Sequence, residues 1–273
     1  MQFSLYIVST PIGNLKDISE RAIDTFKQVD YILCEDTRVS SKLMQNLGLK
    51  VKFIVYNDHN ANEVIPHVLD LILKENASFA LISDAGAPLV SDPGYKLVNA
   101  CIKYNIKYTV IPGACSVISA LTLSGLPSDK FSFIGFADVK KFEEFADINT
   151  TLIFFESPNR ILKTLQNMKQ YFEKRIVAVV REITKIYEET LRGNIDFLID
   201  HFSKNPPKGE FVILVSPPVQ DDMDKINFLK PLINAMFDKF SKKDISDLLS
   251  KCFKISKNGL YSFLLNYNGE KDD

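Results

Sequence analysis

Three loops rich in Gly, Pro, Asp and Ser are the segments of this sequence best suited to bind a ligand. They are STPIGNLKD at 9–17, SDAGAPLVSDPG at 83–94 and PGACS at 112–116, and each follows a short apolar run typical of a strand. In open α/β sheets, ligands bind at the carboxyl ends of the strands, where glycine lets the backbone approach them closely. We therefore predict that the three loops face one cleft. The alternative is three ordinary turns that need Gly and Pro for local geometry alone.

The loops match neither of two common nucleotide-binding signatures. None contains GxGxxG, and none contains GxxxxGK followed by Ser or Thr. A nicotinamide dinucleotide or a nucleotide held by a P-loop is therefore disfavoured. The sequence points to a different ligand.

A second group of reactive side chains occurs in the segment CEDTR. Glu35, Asp36 and Arg38 put two carboxylates and a guanidinium directly after a predicted strand, which is more than a turn requires. In this interpretation a carboxylate accepts a proton while Arg38 holds a phosphate. Asn14, in the first loop, is a further catalytic candidate. The alternative is a structural ion pair that caps the next helix.

These side chains need a scaffold, and the first half of the chain predicts an open α/β sheet. Apolar runs alternate with amphipathic stretches of helical spacing, a pattern typical of βαβ units. The predicted strands are SLYIV, YILCE, KFIVY, FALIS and KYTVI. A second set follows with fewer helices between its members, so we expect mixed or antiparallel pairing there. Its strands are FSFIGF, TLIFFES, RIVAVVRE, KIYEETLRG and GEFVILVS.

The positions of Pro-containing segments between the predicted elements indicate two α/β domains and a small helical appendage. We expect an N-terminal domain over residues 1–126 and a second, smaller one over 127–218, which ends in a Pro-rich segment. Residues 225–273 are expected to be helical, with Ser241 as the N-cap of one helix and a turn near 256–259 before the next.

Composition indicates an ordinary folded protein, and its near-zero net charge gives the whole molecule no strong electrostatic field. Of the 273 residues, 46% are hydrophobic, and 33 Lys and Arg nearly balance 34 Asp and Glu, for a net charge of −1. A nucleic acid would therefore need a local basic patch. The clearest such stretch is 239–257, where six lysines stand against two aspartates.

Cysteine usage and the first residues favour a cytoplasmic protein. The four cysteines form no CxxC pair, which argues against a zinc site or a disulfide framework. The opening residues, MQFSLYIVSTPIGN, lack a basic n-region, and their apolar run is too short for a signal peptide or a membrane span. We expect no membrane contact, and nothing in the sequence requires a metal.

Seven segments, in order, resemble those of the 16S ribosomal RNA (cytidine-2′-O)-methyltransferases, which belong to the tetrapyrrole-methylase superfamily. The resemblance runs from about residue 4 to 216, and the stretch from KKDISDLL to SKNGLY resembles the family's small terminal domain. The segments are LYIVSTPIGNLKDISERAI, ILCEDTR, LISDAGAPLVSDPGYKLV, VIPGACSVISALTLSGLPSDKFSFIGF, TLIFFESPNRI, VAVVREITKIYEET and KGEFVILV.

The resemblance implies a homodimeric enzyme that binds S-adenosyl-L-methionine in the cleft between its two α/β domains. It also implies transfer of a methyl group to a cytidine ribose in the 16S ribosomal RNA of the small subunit. A carboxylate such as Asp84 and the loop carbonyls would suit the sulfonium cation of this cofactor. The cofactor contacts it implies are Pro11, Ile12, Gly13, Asp84, Ala85, Gly86, Ala87, Ser116, Val117, Phe155, Glu156, Glu210 and Phe211.

RNA contacts are expected on the lysine-rich terminal helices, at Lys242, Lys243, Lys254 and Lys257. The alternative for these helices is a solvated surface or an element that caps a dimer. The chain departs from the family after Phe136, where the stretch ADVKKFEEFADINTT is short and has only two lysines.

Two other functions remain open. In the first, the same fold and cofactor act on a tetrapyrrole or a modified protein side chain. In the second, the chain is a non-catalytic, ribosome-associated RNA-binding protein. The second predicts no saturable binding of S-adenosylmethionine.

Overall fold

The computed structural model describes residues 2–218, 222–237, 239–253 and 255–267. The chain divides into two compact units, residues 1–217 and 218–273. Both predicted α/β domains lie within the first unit, and a boundary between them near residue 126 stays a prediction.

The first sheet has five parallel strands in the order β3-β2-β4-β1-β5, which confirms the predicted open α/β sheet. Its strands are β1 (Leu5–Val8), β2 (Tyr31–Cys34), β3 (Phe53–Val55), β4 (Phe79–Leu81) and β5 (Tyr108–Ile111). The helices that follow them are α1 (Glu20–Gln28), α2 (Thr37–Asn46), α3 (Ala61–Glu75), α4 (Tyr95–Lys103) and α5 (Ser116–Ser124).

Two apolar cores cover the two faces of this sheet. Side chains of a strand alternate between faces, so Phe79 and Leu81 of β4 join the core under α3 and α4, whereas Ala80 joins the core under α1 and α2. A sheet covered on both sides keeps its strands apolar and leaves only their ends for polar chemistry. The carboxyl ends of the strands are therefore where the loops predicted to bind a ligand emerge.

The second sheet has the order β6-β7-β10-β8-β9, and only β6 and β7 pair in parallel, as the sequence predicted for a mixed sheet. Its strands are β6 (Phe131–Phe136), β7 (Thr151–Glu156), β8 (Val177–Arg181), β9 (Glu189–Gly193) and β10 (Phe211–Val215). Its helices are α6 (Phe142–Phe145), α7 (Ile161–Phe172) and α8 (Ile195–Lys204).

One predicted strand is shorter than expected. The segment KIYEETLRG forms β9 only from Glu189 onward. Residues 185–188 belong to a loop, because the Lys185 N–H donates to the Glu182 carbonyl at 3.0 Å and the Glu188 N–H to the Lys185 carbonyl at 3.2 Å, so these backbone groups do not pair with β8.

Helix α5 joins the two sheets. It follows β5 of the first sheet and packs its residues Val117, Ala120 and Leu121 against β8 and β10 of the second. At its carboxyl end, the Arg192 guanidinium donates to the carbonyl oxygens of Ser124, at 2.5 Å, and Leu123. A cation at a helix carboxyl terminus satisfies free carbonyls and complements the helix dipole.

Replacing Arg192 by Met is expected to lower the free energy of unfolding by about 1–3 kcal/mol, because it removes charge-assisted hydrogen bonds to carbonyls that are partly buried. Urea unfolding of wild type and variant measures the loss. Arg192→Lys, which keeps the charge, should recover part of it. Equal midpoints for Arg192→Met and wild type would contradict this account.

The described residues of the second unit form four helices around an apolar core of their own. They are α9 (Asp222–Phe228), α10 (Lys230–Phe237), α11 (Lys242–Phe253) and α12 (Lys257–Asn266). The predicted cap is confirmed, since Ser241 Oγ accepts from the Asp244 N–H at 3.2 Å. The predicted turn at 256–259 is shorter than expected, because Ser256 already caps α12. Within the described ranges, no helix combines the length and apolar character needed to span a membrane.

Candidate functional site

The strand-end loops of the first sheet meet as the sequence predicted. Thr10 and Gly86 exchange backbone hydrogen bonds of 2.8 and 3.1 Å, which join the first loop to the second. The Thr10 hydroxyl also donates to the Ser83 carbonyl at 3.2 Å. The third loop packs on the first at Gly113, where an added Cβ would lie 3.0 Å from the Ser9 Cβ. The three loops therefore form one continuous wall.

Two adjoining cavities lie against this wall, and they share Ser116, Phe136 and Phe155. The first has a volume of about 210 Å³ and the second about 120 Å³. The first is lined by Ile12, Ser116, Phe136, Phe155, Glu156, Ile183, Glu210, Phe211 and Val212. The second is lined by Ala85, Gly86, Ala87, Val90, Ser91, Asp92, Cys115, Ser116, Phe136 and Phe155.

Most of the residues predicted to contact a cofactor line one of these cavities. Four do not line either: Pro11 and Asp84 lie in the loops beside them, Val117 is buried in the core under α5, and Gly13 lines a separate groove. An added Cβ at Gly13 would lie 2.6 Å from the Lys185 Cγ, so only glycine fits there. The individual cofactor contacts stay predictions.

Two of the predicted residues turn their side chains away from the first cavity. Glu156 is fully buried and accepts hydrogen bonds from the Ser157 N–H at 2.7 Å, from Arg160 at 2.8 Å and from the Thr164 hydroxyl at 2.5 Å. Phe211, its partner in the β7–β10 register, packs in the same core as α7 and α8. These two residues can therefore contact a ligand in the first cavity through their backbone atoms and not through their side chains.

Phe136 lines both cavities, although the alternation of side chains along β6 would not predict it there. A β-bulge between Phe133 and Gly135 shifts the register, so that Phe136 pairs with Phe155. The two rings meet edge to face at 5.7 Å, and Phe133 approaches Phe155 from the same face at 4.9 Å. Strict alternation would have put Phe136 on the opposite face from Phe133.

The CEDTR segment separates into a structural pair and a distinct carboxylate. Asp36 caps α2 by accepting from the Arg38 N–H at 2.7 Å, and its carboxylate also pairs with the Arg38 guanidinium at 2.6 Å. The hydrogen bonds from Arg38 lower the pKa of Asp36 to about 2. The alternative interpretation of a capping ion pair thus describes Asp36, while the Arg38 side chain remains 88% exposed.

Glu35 differs from Asp36, because burial and neighbouring carboxylates raise its pKa instead of lowering it. Burial, followed by the charges of Asp92, Asp84 and Asp58, raises the pKa of Glu35 to about 7. Burial likewise raises the pKa of Asp84, although the Asp36 N–H donates to it, and that of Asp92, although Ser83 donates to it. Asp92 lines the second cavity. Partly buried carboxylates of raised pKa favour a bound cation and include a group that can accept a proton near neutral pH.

Asn14 caps the short 3₁₀ turn Leu15–Asp17, since its side-chain oxygen accepts from the Lys16 N–H at 3.1 Å. It is exposed and lines the same groove as Gly13, whereas Glu35 lines neither this groove nor either of the two cavities. Among the described residues, no group of three His, Cys, Asp or Glu side chains has the spacing to hold a metal ion.

The predicted RNA-binding lysines differ in their surroundings. Lys242 points to the carbonyls of Leu265 and Tyr267 at 3.4 and 3.5 Å, and Lys257 pairs with Asp247. Lys243 is exposed, whereas Lys254 lies outside the described residues.

Residues 4–198 match the family model described as Tetrapyrrole (Corrin/Porphyrin) Methylases. Curated relatives named ribosomal RNA small subunit methyltransferase I are similar over nearly their whole length. The protein of Rickettsia prowazekii is 44% identical over 270 residues, which cover 96% of both chains. That of Haemophilus influenzae is 41% identical and covers 95% of both chains.

Solved structures share the fold at lower identity. A cobalt precorrin-4 methyltransferase of cobalamin biosynthesis superimposes with a TM-score of 0.59 at 19% identity, covering 78% of this chain and 94% of its own. The uroporphyrin-III C-methyltransferase of Thermus thermophilus gives a TM-score of 0.56 at 18% identity, covering 78% and 93%.

Proposed function

We propose, from the premise that this chain belongs to the tetrapyrrole methylase family and to its ribosomal RNA small subunit methyltransferase I members, that it methylates the ribose 2′-hydroxyl of a cytidine in 16S ribosomal RNA. It is an S-adenosylmethionine-dependent methyltransferase that acts on ribosomal RNA. The cytidine and its ribose hydroxyl are the finer parts of the proposal. The observation that supports it is the pair of adjoining cavities bordered by acidic side chains.

The residues present suit this cofactor. The first cavity is mostly apolar, with the Phe136 and Phe155 rings, and such a surface suits an adenine. The second holds the carboxylate of Asp92 beside the Gly86 loop, and Asp84 and Glu35 lie within electrostatic reach of it. These carboxylates suit a sulfonium and an amino group, both of which are cations.

When bound, S-adenosylmethionine supplies an electrophilic methyl group, so the protein must align the hydroxyl with it and remove the hydroxyl proton. Glu35 is the best candidate for this base, because its pKa of about 7 leaves a large fraction of it ionised yet basic at neutral pH. We assign its carboxylate oxygen as the proton acceptor. Asp36, held by Arg38, keeps the loop that carries Glu35 in position.

Arg38 is proposed to hold a phosphate of the RNA through the exposed side of its guanidinium. Replacing it by Ala is expected to slow methyl transfer about tenfold, the size of one charge-assisted hydrogen bond, and to leave the Kd of S-adenosylmethionine unchanged. Single-turnover transfer and calorimetry measure the two quantities. Because Arg38→Lys keeps the charge, it should lose less. Near-normal transfer by Arg38→Ala would remove Arg38 from the catalytic set.

The remaining proposals concern the assembly. Lys243, which is exposed, is the strongest of the predicted phosphate contacts on the terminal helices, and Lys242, Lys254 and Lys257 are proposed to support it. We further propose that the enzyme is a cytoplasmic homodimer whose substrate is the small ribosomal subunit.

The test is calorimetric titration with S-adenosylmethionine, followed by transfer of its labelled methyl group to small subunits from cells that lack the enzyme. Label recovered in a cytidine ribose of 16S RNA supports the proposal. Cofactor binding without label in RNA would point to a tetrapyrrole or a protein side chain as acceptor. Absence of binding would point to a non-catalytic RNA-binding protein.

A further inference from the structure

A separate groove of about 690 Å³ runs along the loop of 9–17. Residues 13–16 form one wall, and Glu182 with residues 184–187 forms the other. Ile12 and Ile183 line the first cavity and are the chain neighbours of Gly13 and Thr184 in the groove. The groove therefore lies beside the proposed cofactor cavity, and its volume leaves room for part of a polymeric substrate.

Two large side chains stand in solvent on the far wall of this groove. Ile186 is 93% exposed and Tyr187 is 73% exposed. Adjacent exposed apolar side chains mark binding surfaces, and tyrosine is enriched at such surfaces. The ring of Tyr187 thus offers an apolar face within reach of any ligand in the groove.

The loop that carries Tyr187 is held in place by hydrogen bonds. The Thr184 N–H donates to the Glu188 carboxylate at 2.7 Å, and the Glu188 N–H donates to the Lys185 carbonyl at 3.2 Å. Lys185 in turn pairs with Glu182 at 2.8 Å. A ring on a fixed loop loses little conformational entropy when a planar ligand stacks on it.

The opposite wall supplies a positive charge. Lys16 is exposed and has no ion pair within the part of the chain that the structure describes. An exposed aromatic ring with a cation across a groove is the combination that single-stranded nucleic acids bind, because bases stack on the ring while phosphates contact the cation.

We propose that Tyr187 is a stacking platform for an unpaired base of the substrate RNA and that Lys16 contacts a neighbouring phosphate. The proposal rests on the proposed function, because a ribose can enter a cleft of this size only when its nucleotide leaves the helical stack. Tyr187 then positions the RNA and takes no part in the chemical step.

The test compares Tyr187→Ala with Tyr187→Phe in methyl transfer to small subunits from cells that lack the enzyme. Tyr187→Ala is expected to raise KM roughly tenfold, the loss typical of one base–aromatic stack, with the Kd of S-adenosylmethionine unchanged. Tyr187→Phe keeps the ring and should retain the wild-type KM. The matched control is Tyr104→Ala, which removes another exposed tyrosine, 49% exposed, outside this groove.

A second measurement separates this proposal from the proposed function. Anisotropy of a fluorescent single-stranded oligoribonucleotide reports RNA binding without methyl transfer, and Tyr187→Ala should weaken it by a similar factor. If wild type binds this RNA but methylates no subunit, the proposed function fails while the platform stands. Wild-type RNA affinity and KM in Tyr187→Ala would overturn the platform. A molecular mass of Tyr187→Ala that differs from that of wild type in light scattering would also overturn it. The Tyr187 ring would then lie between copies of this chain.

Discussion

Replacing Glu35 by Gln is expected to lower kcat by roughly a hundred- to ten-thousandfold, the contribution typical of a general base. The amide keeps the size of the side chain but cannot accept the hydroxyl proton. The pKa of about 7 also predicts that the wild-type rate rises with pH through about 7 and then levels off. Glu35→Gln should lack this limb. Single-turnover transfer measured from pH 5.5 to about 9 checks both expectations.

Asp36→Asn is the matched control, because it neutralises the adjacent carboxylate. The pKa of Asp36 is about 2, so this group is ionised throughout the range and supplies no limb. Its variant should keep the cap on α2, because an asparagine oxygen also accepts the Arg38 N–H, and it should lose the ion pair with Arg38 but keep the pH dependence of the rate. A limb near pH 7 that persists in Glu35→Gln would assign the proton to another group.

The stability of the protein gives an independent test of the environment of Glu35. Its pKa is raised from 4.5 to about 7 by folding, so the folded state holds a proton that the unfolded chain has released between these values. Glu35 therefore makes the free energy of unfolding fall as pH rises from about 4.5 to 7. Glu35→Gln, which is neutral throughout, should show a smaller fall between urea midpoints at pH 5 and 8.

The sequence predicted the fold well where the pattern is repetitive. The parallel sheet follows from apolar runs that alternate with amphipathic helices, and the mixed pairing of the second sheet follows from its shorter connections. The meeting of three loops at one edge follows from the direction of parallel strands. Each of these depends on local periodicity, which a single sequence displays.

The parts that the sequence did not predict depend on departures from periodicity or on distant partners. The bulge before Phe136 reverses its side chain, and only the Gly in FIGF hints at it. The strand expected from residue 185 begins at Glu189, because the backbone of residues 182–188 forms turns with hydrogen bonds of its own. The Lys185 side chain adds a contact with Glu210, which is 25 residues away in sequence. Counting charges in the terminal helices likewise could not show that Lys257 forms an ion pair with Asp247.

Replacing Gly86 by Val is expected to weaken S-adenosylmethionine binding at least tenfold, a loss of about 1.4 kcal/mol. Gly86 has a φ of +82°, a conformation that costs a β-branched residue on the order of 1–3 kcal/mol. Its new Cβ would also lie 3.2 Å from the Ile12 Cγ2, so the valine methyl groups would press on a side chain that lines the first cavity. Calorimetric titration measures the change in Kd.

The control for backbone strain alone is Gly48→Val. Gly48 has a φ of +69°, close to that of Gly86, but an added Cβ there would meet no atom within 4 Å. Both variants should therefore lose stability through the backbone, whereas only Gly86→Val should lose affinity. Equal affinity in the two variants would mean that the Gly86 loop does not contact the cofactor. Because Thr10 is joined to Gly86 by two backbone hydrogen bonds, displacement of this loop should also disturb the segment that carries Ile12.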